Sequence, residues 1–394
     1  MFDIERIRAD TPAAEGKVFL ASAGASLMPA PVVRAMRDYL DLEVELGGYG
    51  AYDREQMRLA QAYASAARLI GSLPQEIAFM ESATAAWQMA FYSMSFEEGD
   101  VVLTSEAEYG ANFVALLQLR QRRGIEIRVV PSDAAGEIDL DALHGMISAR
   151  VKLICLTWIP TNGGLVNPAA EVGKIARAHG IAYLLDACQA LGQMPVDVQA
   201  LQCDMLTATG RKFLRGPRGT GFLYVRSGFM SQLEPHTIDH FSAPWLERNR
   251  YGLRDGARRY ETWESNYVAR AGLGVALDYA AEIGMVAIQE RCVALAARLR
   301  SGLKALPAAT GCDLGRNPSA IVSFTLEGKS AEQVVELAAN EGITIGVTLP
   351  SGTRLDAERR GLPPLVRASP HYFNTEHEID ILLDFLQSIK AGGP

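Results

Sequence analysis

Apolar runs of five to seven residues alternate with amphipathic segments along the first half of the chain. The runs are rich in Val, Ile and Leu and are bounded by Gly, Pro or polar residues, which is typical of buried strands. They predict strands at 76–80, 101–105, 125–130, 151–157 and 181–185. Helical periodicity between them predicts helices at 84–95, 112–123 and 168–179. This alternation favours an α/β fold with a mostly parallel central sheet and helices on both faces.

The pattern changes after Trp263, where the helical periodicity becomes longer and richer in Ala. Ser330 followed by Gln333 forms a capping box, in which each side chain binds the backbone N–H of the other residue. These signals, with one further apolar run, predict a strand at 320–326 and helices at 267–305, from 330 onward and from 376 onward.

The chain of 394 residues exceeds the size at which a single hydrophobic core usually stops growing. We expect a large domain at 21–260 and a smaller α+β C-terminal domain at 261–394. An N-terminal arm, 1–20, should join the smaller domain. Ligands of open α/β sheets bind at the carboxyl ends of the strands, so we expect the functional site there.

Composition and charge exclude several classes of function. The net charge of −8 and the pI near 5.4 disfavour binding to nucleic acid or to an anionic membrane. No run of 18 apolar residues occurs and the N-terminal residues lack a signal segment, so we expect a cytoplasmic protein. The five cysteines lack metal-ligand spacing and no HExxH motif occurs, so we expect reduced thiols and no catalytic metal.

The candidate chemistry begins with one carboxylate and one amine. Asp186 ends the apolar run IAYLLD, and Lys212 follows 26 residues later on a turn bounded by glycines. Pyridoxal phosphate chemistry needs a lysine that forms an imine with an aldehyde, and a carboxylate that keeps a pyridine nitrogen protonated. Alone, an Asp after a strand and a Lys in a loop are commonplace, and a strand cap with a solvated amine would be the favoured interpretation.

The residues around this pair decide between these interpretations. The segment LLDACQALGQMPVDVQALQCDMLTATGRKFLRGPRGTGFLYVR contains D-x-x-Q, T-G-x-K and G-P-x-G-x-G in that order. It resembles the cofactor-lysine region of class V aminotransferase-like enzymes of fold-type I, among them cysteine desulfurases, selenocysteine lyases, isopenicillin N epimerases and the ergothioneine-pathway carbon–sulfur lyase. FLASAGAS and VRASPHYFNTEHEID extend the resemblance over nearly the whole chain. The resemblance implies pyridoxal 5'-phosphate as cofactor, an amino-acid substrate and a homodimer.

The resemblance also implies which residues hold the cofactor phosphate. Ser82, Ala83 and Thr84 follow a predicted strand and open a helix, where backbone amides can bind a phosphate. A plain helix cap is the alternative for these three residues. Thr209 and Arg211 would complete the phosphate site, although desulfurases commonly place His where Arg211 stands.

Further residues are assigned roles by the same resemblance. Tyr109 would stack on the pyridine ring, and Gln189 would bind the phenolic oxygen of the cofactor. Thr161 or Asn162 would lie near the same oxygen, and the choice between them stays open. Arg367 would bind the substrate α-carboxylate through two parallel hydrogen bonds. A surface tyrosine and a structural arginine are the alternatives for Tyr109 and Arg367.

Two departures from the desulfurase pattern bear on the reaction. The segment 346–361 contains no cysteine, and Ser351, near the expected position, cannot carry sulfur as a persulfide. Trp263 and Glu264 stand where relatives have a Gly-Thr pair that contacts the phosphate in the partner subunit. The roles of Trp263 and Glu264 stay open.

We therefore expect a homodimeric lyase that cleaves a β-substituent, a carbon–sulfur bond above all, from a cysteine-derived amino acid. Lys212 would remove the Cα proton, Asp186 would stabilise the resulting charge, and the products would be pyruvate and ammonia. Transamination and epimerisation are alternatives, because they use the same residues. A cysteine desulfurase, a cofactor-binding sensor with an added basic segment, and an inactive scaffold rank lower.

Overall fold

The computed structural model describes residues 2–391. The helices of this part of the chain are α1 Ile4–Ala9, α2 Ala30–Ile70, α3 Ala83–Tyr92, α4 Gly110–Arg123, α5 Leu140–Met146, α6 Ala169–Ala178, α7 Val198–Leu201, α8 Tyr267–Ile283, α9 Met285–Ala305, α10 Ala331–Asn340, α11 Arg354–Arg360 and α12 Glu376–Ala391. Its strands are β1 Val18–Phe19, β2 Ile77–Met80, β3 Val101–Ser105, β4 Glu126–Val130, β5 Val151–Thr157, β6 Ala182–Asp186, β7 Met205–Thr209, β8 Gly221–Val225, β9 Trp245–Glu247, β10 Arg250–Tyr251, β11 Ala309–Gly311, β12 Val322–Leu326, β13 Ile343–Thr344, β14 Gly346–Thr348 and β15 Leu365–Ala368.

The central sheet has seven strands in the order β2-β8-β7-β6-β5-β3-β4. Strand β8 runs antiparallel to both of its neighbours, and the remaining pairs are parallel. Successive residues of β6 enter different hydrophobic clusters: Tyr183 and Leu185 pack on one face, and Ala182 and Leu184 on the other. Both faces are covered, which explains why this strand is apolar up to its last residue, Asp186. The predicted α/β class is confirmed.

The predicted strands of the sheet and the capping box at Ser330 are confirmed, with strand ends within two residues. The single helix predicted at 267–305 is wrong, because Gly284 separates α8 from α9 and the two axes meet at 81°. Among the described residues, no single helix has the length and apolar composition to cross a bilayer. The bent pair α8–α9 meets these two criteria only when both helices are counted together.

Helix α2 is the element that the sequence pattern does not indicate. It spans 41 residues and packs along α8. Gly47 inside it has a positive φ of 73°, which interrupts helical geometry between two helical halves. The cluster of Gly47, Gly48 and Gly50 resembles a loop in sequence, because glycine disfavours helix unless tertiary packing compensates.

A second, antiparallel sheet has the strand order β11-β12-β15-β14 and carries Arg367 on β15. The N-terminal strand β1 pairs with β13, where Val18 lies opposite Ile343. The chain then crosses toward the central sheet, and Ala21 bridges to Ser369. This route brings the segment after β1 to the carboxyl ends of the central strands. The domain boundaries at 20 and 260 stay a prediction.

Candidate functional site

The loops that follow the carboxyl ends of the central strands enclose a cavity with about 560 Å³ of empty space, including its mouth. The cavity is lined by Ser82, Ala83, Thr84, Tyr109, Asn112, Thr157, Ile159, Thr161, Asp186, Cys188, Gln189, Thr209, Arg211 and Lys212. The structure therefore brings together the residues named from the sequence, except Asn162 and Arg367. Asn112, Thr157, Ile159 and Cys188 are additions that the sequence analysis missed.

Lys212 lies on a tight turn after β7, and the turn is held from both sides. Gly210 donates its N–H to the carbonyl of Thr220, and a Cβ at Gly210 would come within 2.2 Å of the Thr220 hydroxyl. Arg215 donates its N–H to the Lys212 carbonyl and adopts a positive φ of 61°. Its fully buried guanidinium donates to the carbonyl of Leu27. These contacts hold the backbone of Lys212 in place.

The Lys212 amine is buried at the floor of the cavity, 6.0 Å from the centre of the Tyr109 ring. Burial lowers the pKa of Lys212, because a charged amine loses its hydration there. Asp186 opposes this shift, whereas the guanidinium groups of Arg211 and Arg367 add to it. A lysine with a lowered pKa is neutral more often at physiological pH and can act as a nucleophile and as a base.

Asp186 ends β6 with its carboxylate in the cavity lining. Its Oδ1 accepts a hydrogen bond from the Cys188 N–H at 2.9 Å, and its Oδ2 accepts one from Asn112 Nδ2 at 3.0 Å. These contacts fix the carboxylate while leaving it exposed to the cavity. Asp186 is therefore placed to hold a cationic ring nitrogen.

Ser82 caps α3, and its Oγ accepts a hydrogen bond from the Ala85 N–H at 3.1 Å. The helix begins at Ala83, so its first amides point into the cavity end. Gly221 lies directly behind them, where a Cβ would come within 2.9 Å of the Ala83 nitrogen. The helix cap and the phosphate site are compatible, because the cap uses one amide and leaves others free.

Arg211 brings a positive charge to the same cavity. Its guanidinium donates to the Gly24 carbonyl, on the segment that crosses from β1. Thr209 donates its hydroxyl to the Thr220 carbonyl at 3.3 Å, a long hydrogen bond that a phosphate oxygen could replace. Thr209 and Arg211 therefore fit a phosphate, and Arg211 supplies a permanent charge where a histidine would titrate.

Gln189 carries a buried polar atom that the protein leaves unsatisfied. Its Nε2 donates to the Ala23 carbonyl at 3.1 Å, and its Oε1 has no hydrogen-bond partner within residues 2–391. Buried polar atoms are normally paired, so an orphaned acceptor in a cavity lining indicates a ligand that donates to it. Tyr109, at the start of α4, has its ring above Lys212.

The structure places Thr161 and Asn162 differently with respect to the cavity. Thr161 lines the cavity, and its hydroxyl and carbonyl accept hydrogen bonds from Arg367 Nη1 at 2.6 and 3.0 Å. The structure does not bring Asn162 into the cavity, because its amide donates to the Leu349 carbonyl and accepts from Thr348. Asn162 holds the segment after β14 instead.

Arg367 lies beside the cavity rather than among its lining residues. Burial lowers the pKa of Arg367 to about 10, and the neighbouring Arg211 guanidinium contributes to this shift. The group is still charged at neutral pH. Two adjacent guanidinium groups repel each other, so an anionic ligand between them is favoured.

The segment 346–361, which contains no cysteine, contacts the beginning of α4. It forms a 3₁₀ turn at Pro350–Thr353 and continues into α11. A Cβ at Gly110 would come within 2.4 Å of the Ser351 carbonyl, so only glycine permits this approach. Arg359 on α11 also binds Glu106 at 3.0 Å. The segment is thus anchored to the beginning of α4.

Trp263 and Glu264 do not enter the cavity. The Trp263 ring packs against Tyr52 and Phe241, and the backbone N–H of Trp263 donates to Asp239 Oδ2 at 2.7 Å. The Glu264 side chain is exposed. The carboxylate is therefore turned away from the site of its own subunit.

Glu108 is a further residue that the sequence analysis missed. It is buried behind Tyr109, and its carboxylate accepts hydrogen bonds from Asn112 and Thr157. Burial raises the pKa of Glu108, and the charge of Asp186 raises it further. Its position directly before Tyr109 could have drawn attention to Glu108, but the sequence alone does not show whether an acidic residue is buried.

The cavity fits pyridoxal 5'-phosphate on its own chemistry. Its lining includes the buried Lys212 amine, the Asp186 carboxylate, the first amides of α3 and the Arg211 guanidinium. The Gln189 Oε1, unpaired among the described residues, belongs to the same lining. Lys212 would hold the aldehyde carbon, Asp186 the ring nitrogen, Gln189 the phenolic oxygen, and Ser82 to Thr84 with Arg211 the phosphate.

Comparisons with known proteins agree with this geometry. The family model described as aminotransferase class-V matches residues 18–382. A probable cysteine desulfurase of Methanothermobacter thermautotrophicus is 30% identical over 99% of this chain and 98% of its own length. The apo structure of a cysteine desulfurase from Thermococcus onnurineus superposes with a TM-score of 0.91 at 25% identity, covering 98% of this chain and 97% of that chain.

A complex of the cystine C-S lyase C-DES with its product cysteine persulfide has a TM-score of 0.87. It is 23% identical and covers 96% of this chain and 99% of its own, so it shows the fold alone. Another structure of C-DES holds glycine covalently linked to its pyridoxal phosphate cofactor. The expected fold and cofactor are confirmed, and the chain belongs to the class V aminotransferase family of pyridoxal 5'-phosphate enzymes.

Proposed function

We propose that this enzyme cleaves the carbon–sulfur bond of cysteine or of a close S-substituted derivative. The observation that carries the proposal is the buried Lys212 amine with its lowered pKa, in a cavity that also contains Asp186. Curated relatives matched over nearly their whole length are named cysteine desulfurases, whose substrate is cysteine. These names support a sulfur-containing amino acid as substrate.

Each residue has a defined task in this reaction. When bound, pyridoxal 5'-phosphate supplies an electron sink that stabilises negative charge at the substrate Cα. Lys212 Nζ takes the Cα proton and can return it. Asp186 keeps a proton on the ring nitrogen by its negative charge. Arg367 pairs with the α-carboxylate and thereby orients the Cα–H bond toward Lys212.

Two fates of the sulfur are supported by different observations. The names of the relatives favour desulfuration, in which an acceptor thiol takes the sulfur and alanine is formed. From the sequence alone desulfuration ranked below elimination, and the relatives raise its rank. The lack of cysteine in 346–361 favours elimination, in which the substrate and water give pyruvate, ammonia and a thiol or sulfide.

The thiol in the cavity lining is a poor sulfur acceptor. Cys188 is buried, and burial raises its pKa well above the ordinary value, with the charge of Asp186 adding to the shift. A neutral thiol is weakly nucleophilic, because the thiolate is the reactive form. We infer that desulfuration here would need a free thiol from solution as the acceptor.

Product analysis tests the proposal. With L-cysteine and S-substituted cysteines, desulfuration yields alanine in proportion to added dithiothreitol, whereas elimination yields pyruvate and ammonia without a reductant. The protein should not accumulate a persulfide in either case, and Cys188→Ala should keep the product pattern of the wild type. Turnover confined to amino-group transfer or racemisation would contradict carbon–sulfur cleavage, and a persulfide abolished by Cys188→Ala would restore an internal acceptor.

We further propose a homodimer formed through α2 and the β9–β10 hairpin. Large apolar side chains are exposed on both elements, with exposed fractions of 81% for Val44, 76% for Tyr49, 87% for Met57 and 75% for Trp245. Exposed apolar surface of this kind is typical of a protein–protein interface. Light scattering during gel filtration should give twice the chain mass, and Val44→Glu should reduce it.

Arg367 should determine the affinity for every α-amino acid, whatever its side chain. Arg367→Lys keeps the charge but loses the two-pronged geometry, so substrate binding should weaken while the cofactor absorbance stays unchanged. Arg367→Ala should cost on the order of 2 to 5 kcal/mol in kcat/KM, because the carboxylate is left unpaired. Arg298→Ala, which breaks an exposed ion pair with Asp380, is the matched control. Loss of cofactor from Arg367→Ala would make this arginine structural.

A further inference from the structure

Asn112 connects two buried carboxylates behind the cavity. It lies in the first turn of α4 and is 3% exposed. Its Nδ2 donates to Glu108 Oε1 at 2.9 Å and to Asp186 Oδ2 at 3.0 Å. Both acceptors are carboxylate oxygens, so the amide nitrogen must face them, and its two hydrogens are fully used. The orientation of the Asn112 amide is thereby fixed by Glu108 on one side and Asp186 on the other.

Glu108 is itself held firmly. Its Oε1 accepts from the Tyr109 N–H at 2.9 Å and from the Thr157 hydroxyl at 2.5 Å, besides Asn112. Its Oε2 accepts from the Thr104 hydroxyl at 2.9 Å and from the Thr157 N–H at 3.2 Å. These donors come from β3, β5 and the start of α4. The carboxylate is therefore anchored to two strands of the sheet and gives Asn112 a hydrogen-bond acceptor whose position is fixed.

Asp186 has few contacts of its own that could replace this support. Its Oδ1 is held by the Cys188 N–H, but its Oδ2 is held by Asn112. Without Asn112, a carboxylate attached at one oxygen can rotate away from the cavity. Without Glu108, the Asn112 amide loses one acceptor and can turn its oxygen toward Asp186, which would repel the carboxylate.

We propose that Glu108 is a positioning residue that acts through Asn112 to keep the Asp186 carboxylate directed at the ring-nitrogen end of the cofactor cavity. The proposal rests on the cofactor and on the role proposed for Asp186, not on the fate of the sulfur. Glu108 does not line the cavity, so it acts on the ring only through this chain of hydrogen bonds. Its function is to fix the orientation of the Asp186 carboxylate.

Cofactor binding without substrate provides the test. The apoprotein is titrated with pyridoxal 5'-phosphate, and the dissociation constant and the visible absorbance band are recorded from pH 6 to pH 9. Glu108→Ala and Asn112→Ala should each weaken binding by about 10- to 100-fold, the range expected when a buried hydrogen bond to a charged group is lost. Both variants should shift the band in the direction that Asp186→Asn shifts it.

A double-mutant cycle separates positioning from a general loss of stability. If Glu108 acts through Asn112, the double variant Glu108→Ala/Asn112→Ala should bind cofactor no worse than Asn112→Ala alone. Glu108→Gln keeps an acceptor for Asn112 but replaces the oxygen that accepts from the Thr157 N–H by an NH2 group, so it should recover part of the affinity lost in Glu108→Ala. If circular dichroism shows that Glu108→Ala folds poorly, Glu108→Gln replaces it in the binding measurement. Independent structural roles would give additive losses and no recovery.

Glu106→Gln is the matched control. Glu106 lies two residues away on the same loop, but it binds Arg359 and the Ser132 N–H instead of Asn112. The cofactor affinity and the absorbance band of the Glu106→Gln variant should equal those of the wild type. If the absorbance band shifts in Asp186→Asn but stays unchanged in Glu108→Ala, the proposal for Glu108 is wrong and the cofactor assignment stands. Failure of the wild-type apoprotein to bind the cofactor would overturn both the cofactor assignment and this proposal.

Discussion

Lys212→Ala is expected to yield a folded protein that lacks a covalently held cofactor and has lost nearly all turnover. The amine both attaches the cofactor and moves the Cα proton, and general-base removal alone costs about two to four powers of ten in rate. Because Lys212 is buried, a substitute base from solvent has little access to its position. Borohydride reduction followed by peptide mapping should place the cofactor on Lys212 in the wild type and on no lysine in the variant.

Lys174→Ala is the control for this experiment, because Lys174 lies on the surface of α6 and pairs only with Glu171 among the described residues. This variant should keep the colour and the activity of the wild type. A cofactor found on another lysine of the wild-type protein would refute the assignment of Lys212, whatever the activity of the variants.

Asp186→Asn should slow Cα deprotonation by about three powers of ten, which is about 4 kcal/mol of barrier. The neutral amide no longer keeps the ring nitrogen protonated, so the cofactor withdraws electrons less effectively. The substitution also disturbs its surroundings, because the new amide group cannot accept at both positions now used by Cys188 and Asn112. Single-turnover measurement with an α-deuterated substrate isolates the proton-transfer step.

Asp278→Asn, which removes a surface ion pair with Arg68, is the control for the loss of one carboxylate. It should change neither the isotope effect nor the cofactor spectrum. Unchanged proton transfer in Asp186→Asn would mean that the carboxylate does not face the ring. Circular dichroism must show the same fold in both variants, so that a rate loss is not a loss of structure.

Five of the seven strands of the central sheet, β2 to β6, were predicted because their signals are local, whereas β7 and β8 were not predicted. A parallel strand covered on both faces is mostly apolar, so β3 and β5 appear as runs rich in Val, Leu and Ile whose predicted ends match the observed ones, although β5 includes the exposed Lys152. Helix α2 was missed for the opposite reason: a glycine cluster weakens its local signal, and packing along α8 supplies the stability. The bend at Gly284 was missed because apolar periodicity continues on both sides of it.

The sequence by itself singled out Lys212 and Asp186 as candidates, because the ordered motifs around them lie in one short segment that resembles a known family. Tertiary structure decided which polar residues surround them. Asn112 meets Asp186 across 74 residues, and Thr161 meets Arg367 across 206. It also turned Asn162 toward Leu349, 187 residues away, instead of into the cavity. Such contacts depend on how strands and loops converge in space, and no periodicity or spacing along the chain encodes that convergence.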